Sequence, residues 1–228
     1  MMFDPMYLVF VAPAMLLAFI AQAMVSSRYA AASRVPASMT GAQAARRILD
    51  SAGLYNVGIE QTDGHLSDHY DPSKKVLRLS PEVYGNASAA SVGIAAHEAG
   101  HAMQDAVHYT PLVMQGFTVP LASFGSNTAF ILFFIGLFVQ ALSFLTLVGI
   151  AFFCFVVFFQ IVTLPVEFNA SSRARQQLAA LGIVSNEQAY HVKKVLNAAA
   201  LSYVAGTLMA LLQLLYLLSR LAASQSRD

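Results

Sequence analysis

The sequence predicts a mainly α-helical integral membrane protein, with four transmembrane helices, a cytoplasmic helix bearing a His-Glu-x-x-His (HExxH) motif, and a small β-hairpin or sheet. Three observations point there. The chain of 228 residues is 57% hydrophobic and 11% charged, with a mean hydropathy of +0.59, whereas a soluble domain carries roughly 25% charge. The apolar residues gather into long charge-free runs. The pentapeptide His97-Glu98-Ala99-Gly100-His101 lies between two of those runs.

Met6 to Val25 carries no charge and is long enough to cross a hydrocarbon core of about 30 Å. A signal peptide would need a basic leader, and Met1-Met2-Phe3-Asp4 is acidic, so a retained anchor is expected. Phe130 to Pro165 is also free of charge. As one helix it would reach about 54 Å, too long for a single span. Two helices joined near Gln140-Ala141-Leu142-Ser143 fit better. Ala198 to Leu218 makes the fourth span.

Eleven of the 13 basic residues fall in the two polar segments, from Arg28 to Arg78 and from Arg173 to Lys194. The positive-inside rule then places both segments in the cytoplasm and both termini outside. The expected organisation is a first span (1–26), a cytoplasmic segment with the HExxH helix (27–127), a transmembrane hairpin (128–165), a second cytoplasmic segment (166–199), a fourth span (200–219) and a polar tail (220–228). This describes a multi-pass cell-membrane protein whose site faces the cytoplasm. A net charge of +1 argues against a nucleic-acid partner. Cys154 is the single cysteine, so no intramolecular disulfide can form.

Within the first polar segment, Thr40 is an expected N-cap and Gly53 an expected C-terminal stop for a helix over Ala42–Leu49. Val57 and Ile59, then His65–Tyr70, then Lys75–Leu79 read as two or three short strands, separated by Asp63-Gly64 and Asp71-Pro72. Lys75–Leu79 is a possible edge for an extended peptide. A long helix rich in Ala and Gly starts near Asn86 or Ser88 and runs to about Val107. Ser185-Asn186-Glu187-Gln188 has the pattern of a capping box for the last helix.

On a helix, His97 and His101 lie one turn apart on one face and can share a tetrahedral metal ion. Glu98, next to the first ligand, is placed to take a proton from a water activated there. A catalytic zinc generally takes three protein ligands. His108 has no clear metal geometry, and His65 and His69 read as polar hairpin residues. Glu167 is better placed, because a carboxylate at the end of a span is costly unless paired. Pro165 is expected in the first turn of a new helix there, with Thr163 as its cap.

The segments His97–Ala102 and Thr163–Ser171, together with Leu66–Pro72 and Val195–Ala200, resemble the bacterial membrane zinc metallopeptidases of the YugP type. That family is distantly similar to the HtpX heat-shock and CAAX prenyl endopeptidases. The resemblance covers nearly the whole chain. It implies a zincin-like helix, one Zn²⁺ per chain held by His97, His101 and Glu167, and Glu98 as catalytic base. Many glutamate-ligand zinc peptidases carry an Asp four residues after the ligand Glu. Here that position is Ser171, which can orient an imidazole but supplies no charge. Asp105, one turn past His101, is an alternative orienting group.

The function expected is hydrolysis of peptide bonds in a protein or peptide substrate beside the lipid bilayer. Tyr190, His191, Asn197 and Tyr203 are candidate donors to the developing oxyanion. A di-iron carboxylate site needs two Glu-x-x-His pairs, and this chain has one placed to serve. A membrane scaffold or chaperone with a structural metal site would have no need of Glu98.

Overall fold

A computed structural model describes residues 4–225, without the side chains at 120, 121, 123, 124, 126, 127 and 225. The end of the expected tail, with Arg227, lies outside the described residues. The elements in order are α1 (Pro5–Ser33), α2 (Gly41–Ser51), β1 (Gly58–Gln61), β2 (His69–Asp71), β3 (Val76–Leu79), α3 (Pro81–Gly85), α4 (Ala89–Ala106), α5 (Thr110–Phe138), α6 (Phe144–Ala180) and α7 (Asn186–Gln225). A 3₁₀ turn over Gln140–Leu142 joins α5 to α6, where the sequence places the hairpin.

The chain forms two compact units. The first comprises residues 1–20, 113–164 and 202–228, the second 21–112 and 165–201. Among the described residues, α1, α6 and the stretch Asn186–Ser224 of α7 are long and apolar enough to cross a membrane, and α5 carries a shorter apolar stretch over Thr128–Phe138. Helix α1 runs on past Ser26-Ser27-Arg28 to Ser33. A helix need not stop where it leaves the apolar layer.

The first unit packs Phe133, Phe153, Tyr216 and Leu217 into its core, while Leu16, Phe19, Phe117, Ile131 and Leu147 point outward. Polar contacts inside it are paired: Tyr216 donates to Asp4 at 2.7 Å, and Gln213 to Tyr7 at 2.9 Å. An apolar exterior with satisfied interior polar groups is the arrangement lipid demands.

Pro165 lies inside continuous α6, not in the first turn of a new helix as the sequence suggested. Thr163 accordingly is no cap. It is buried and donates to the Phe159 carbonyl one turn back, at 2.9 Å. Proline here removes one i→i−4 bond, which a long apolar helix tolerates where neighbouring groups satisfy the freed carbonyl.

The second unit is built around α4, whose Ala90, Val92, Ala95, Ala96 and Ala99 pack with Ile48 and Leu49 of α2 and with Leu178 and Leu196. Thr40 caps α2 in a complete capping box with Gln43. Gly53, at φ +73°, takes the left-handed position that stops it. Ser185 and Gln188 form the matching box at the start of α7, with bonds of 2.7 and 3.3 Å. Both boxes are legible as Ser/Thr-x-x-Gln.

The sheet order is β1-β3-β2, with β1 parallel to β3 and β2 antiparallel to it. The expectation that Lys75–Leu79 offers a free edge is therefore overturned. β3 is the middle strand, its backbone groups are paired on both sides, and Val76, Leu77 and Leu79 are buried. A strand so apolar belongs in the centre of a small sheet. The outer strands are β1 and β2.

Candidate metal centre

Ser88, not Asn86, caps α4, its Oγ accepting from the Ser91 N–H at 3.1 Å. The helix then runs without a break through residues 97–101 to Ala106. On α6, Val166, Ala170, Ala174 and Leu178 are all buried, a stripe at helical spacing that faces the core. Glu167 and Ser171 lie beside that stripe, four residues apart. A Cβ built on Gly100 would fall 2.6 Å from the Ala170 carbonyl oxygen. The two backbones meet there, and only glycine permits it.

This approach brings His97, His101 and Glu167 together, with one ligand atom from each within 4.8 Å of the others. His97 Nε2 lies 3.2 Å from Glu167 Oε2, His101 Nε2 3.9 Å from the same oxygen, and the two Nε2 atoms 3.2 Å apart. The rings meet edge to face, at 83°. Two imidazole nitrogens and a carboxylate aimed at one point are the donor set of a catalytic zinc, and the residues present fit that ion.

Ser171 Oγ sits 3.1 Å from His97 Nδ1. Asp105 is engaged elsewhere: its Oδ2 accepts from Tyr70 at 2.6 Å and pairs with Lys75 at 2.5 Å. Gln104, which sequence reasoning passed over, is completely buried and contacts His101 Nδ1 through Oε1 at 3.0 Å. Its one available signal was its position three residues past His101, on the same helical face.

Burial pushes the Glu98 carboxyl up to about 7, with nearby His97 pulling it down and Glu167 pushing it up. Burial lowers His97, but the bond to Glu167 and the charge of Glu98 outweigh it and hold that imidazole above its ordinary value. His101 is held down at about 4 by burial and by His97. A buried carboxyl that titrates near neutrality is suited to exchanging protons at physiological pH.

The other histidines lie apart from this cluster. His65 meets the Tyr29 ring edge to face and lies 3.7 Å from Glu82. His69 bonds the Ser67 carbonyl at 2.9 Å, and His108 is exposed. On α7, Asn197 is exposed and accepts from Arg175 at 3.5 Å. His191 packs on Tyr190, and Tyr203 falls in the first unit.

The chain is 47% identical over 201 residues to "Putative membrane protease YugP" of Bacillus subtilis (strain 168), covering 87% of this chain and 89% of that protein. No solved structure matches it. Long apolar helices and this relative mark a membrane protein. Residues 7–222 match a family whose description names zinc, the ion that fits His97, His101 and Glu167, and the chain belongs to that family, "Putative neutral zinc metallopeptidase".

Proposed function

We propose that this protein is a membrane-embedded zinc-dependent endopeptidase with its site on the cytoplasmic side. The observation that carries the reading is the convergence of His97, His101 and Glu167 beside the buried carboxyl of Glu98. These three residues would hold one zinc ion per chain. When bound, zinc acidifies a water and polarises the scissile carbonyl. Glu98 accepts the water's proton and returns it to the leaving amine. Ser171 orients the His97 ring. Within the second unit, Tyr190, His191 and Asn197 of the last helix carry N–H or O–H groups suited to donate to the developing oxyanion.

The extended substrate lies along β2, an outer strand of the sheet, for which backbone pairing is the natural recognition mode. In the membrane the chain makes four spans, α1, α5, α6 and α7. The apolar stretch of α5 and the charge-free sequence around it support the fourth. The basic residues of both polar segments support a cytoplasmic site.

The test is metal analysis of the purified protein, together with cleavage of an unstructured protein. Wild type should carry zinc and cleave. Glu98→Gln should keep zinc and lose at least the roughly 10²-fold that a positioned proton carrier supplies. Zinc without cleavage in the wild type would overturn the enzyme reading and leave a structural metal site.

A further inference from the structure

The orientation of the Gln104 amide is dictated by groups whose hydrogen-bonding roles cannot change. Arg173 Nε, an obligate donor, lies 2.7 Å from Asn169 Oδ1, so that atom of Asn169 is the oxygen. Gln104 Nε2 lies 3.0 Å from the same oxygen and 2.8 Å from the Val166 carbonyl, an obligate acceptor. Two acceptors thus take the two amide protons of Gln104. The flipped amide would set Oε1 against both acceptors, an uncompensated repulsion for a side chain so completely buried.

The oxygen is left for His101, 3.0 Å from Nδ1. An amide oxygen only accepts, so the proton must be on Nδ1. A neutral imidazole with its proton on Nδ1 has its lone pair on Nε2, the atom that faces His97 and Glu167. Ser171 differs, because a hydroxyl both donates and accepts and so does not dictate the His97 tautomer. Val166 and Asn169 flank Glu167, so the same amide also ties the His101 ring to the segment that carries the third ligand.

We infer that Gln104 is a positioning residue that sets the His101 tautomer, holding Nδ1–H so that Nε2 presents its lone pair to the metal. The inference rests on the proposed metal site for its purpose, but the tautomer is measurable without metal. In ¹⁵N-histidine-labelled, zinc-free protein at about pH 8, where an ordinary imidazole is neutral, long-range ¹H–¹⁵N correlation should show His101 as the Nδ1–H form. Gln104→Met keeps the bulk and removes the acceptor. It should give a mixture of tautomers and weaken zinc binding, read by competition with a chromogenic chelator, by about 10- to 100-fold. Gln104→Glu keeps an acceptor toward Nδ1 and should retain the Nδ1–H form that Gln104→Met loses, although its second oxygen now faces the Val166 carbonyl and Asn169 Oδ1 and should lower the unfolding temperature. His101 in the Nε2–H form in the wild type would overturn the inference, as would a Met variant with unchanged tautomer and affinity. A wild type that shows Nδ1–H yet binds no zinc would overturn the metal reading and leave the tautomer assignment standing.

Discussion

Gly100 on α4 and Ala170 on α6 touch backbone to backbone, with the Ala170 carbonyl oxygen where a Gly100 side chain would begin. This contact sets how close Glu167 comes to the two histidines. Gly100→Ala should force the helices apart, costing about 1–3 kcal/mol as an overpacked contact does, and lower zinc occupancy. Gly85→Ala, where nothing lies within 4 Å of an added Cβ, should change stability by less than about 0.5 kcal/mol. Thermal unfolding and metal content of the two variants separate these outcomes, and equal zinc in Gly100→Ala and wild type would refute the first.

Glu167 shares its Oε2 between both histidines. Glu167→Ala should therefore weaken zinc binding by more than the roughly 10- to 100-fold typical of losing an outer partner. His65→Ala and His69→Ala should leave zinc content unchanged, since neither ring belongs to the cluster. Equilibrium metal competition reads all three, and undiminished affinity in Glu167→Ala would remove it from the ligand set.

The Tyr70–Asp105–Lys75 contact ties β2 and the strand beside it to the end of α4. Burial raises the Asp105 pKa, but the bonds from Lys75 and Tyr70 outweigh it, and the carboxyl sits below its ordinary value. A lowered carboxyl contributes stability above the unfolded value of about 3.9 and loses it as pH falls through the folded one. Wild type should thus lose unfolding temperature below about pH 4 more steeply than Asp105→Asn. The contribution is small because the carboxyl's partner Lys75 is half-exposed to solvent. Parallel pH profiles for the two proteins would show that Asp105 takes no part.

Orientation can be read by cysteine labelling in a Cys154→Ala background. With four spans and cytoplasmic polar segments, cysteines at Ser73 and Gln188 should resist a membrane-impermeant thiol reagent until cells are permeabilised. One at Ser143, between α5 and α6, should react at once. Labelling of Ser73 and Gln188 from opposite sides would separate the histidines from Glu167 and end the shared metal site.

Local chemistry made part of this protein legible in its residues. The long charge-free runs, the caps at Thr40, Ser88 and Ser185, the stop at Gly53 and the turn at Gln140–Leu142 all depend on neighbours in sequence, and the structure has each where local rules put it. The same holds for the pairing of His97 with His101, fixed by helical pitch. Other features depend on what meets across space. Nothing near Lys75–Leu79 in sequence reveals that β1 and β2 flank it on both sides. Pro165 reads as a helix start, yet it sits inside α6, because a helix held by its neighbours can forgo one hydrogen bond. Asp105 could have faced His101, but Tyr70 and Lys75 come from the sheet to claim it. Gln104 took the place beside His101 because Val166 and Asn169, more than sixty positions away, orient its amide. Sequence spacing decided which candidate ligands share a helix; the contact of Gly100 with Ala170 decided that Glu167 reaches them, since close approach of two backbones is a property of the packed pair and of neither helix alone.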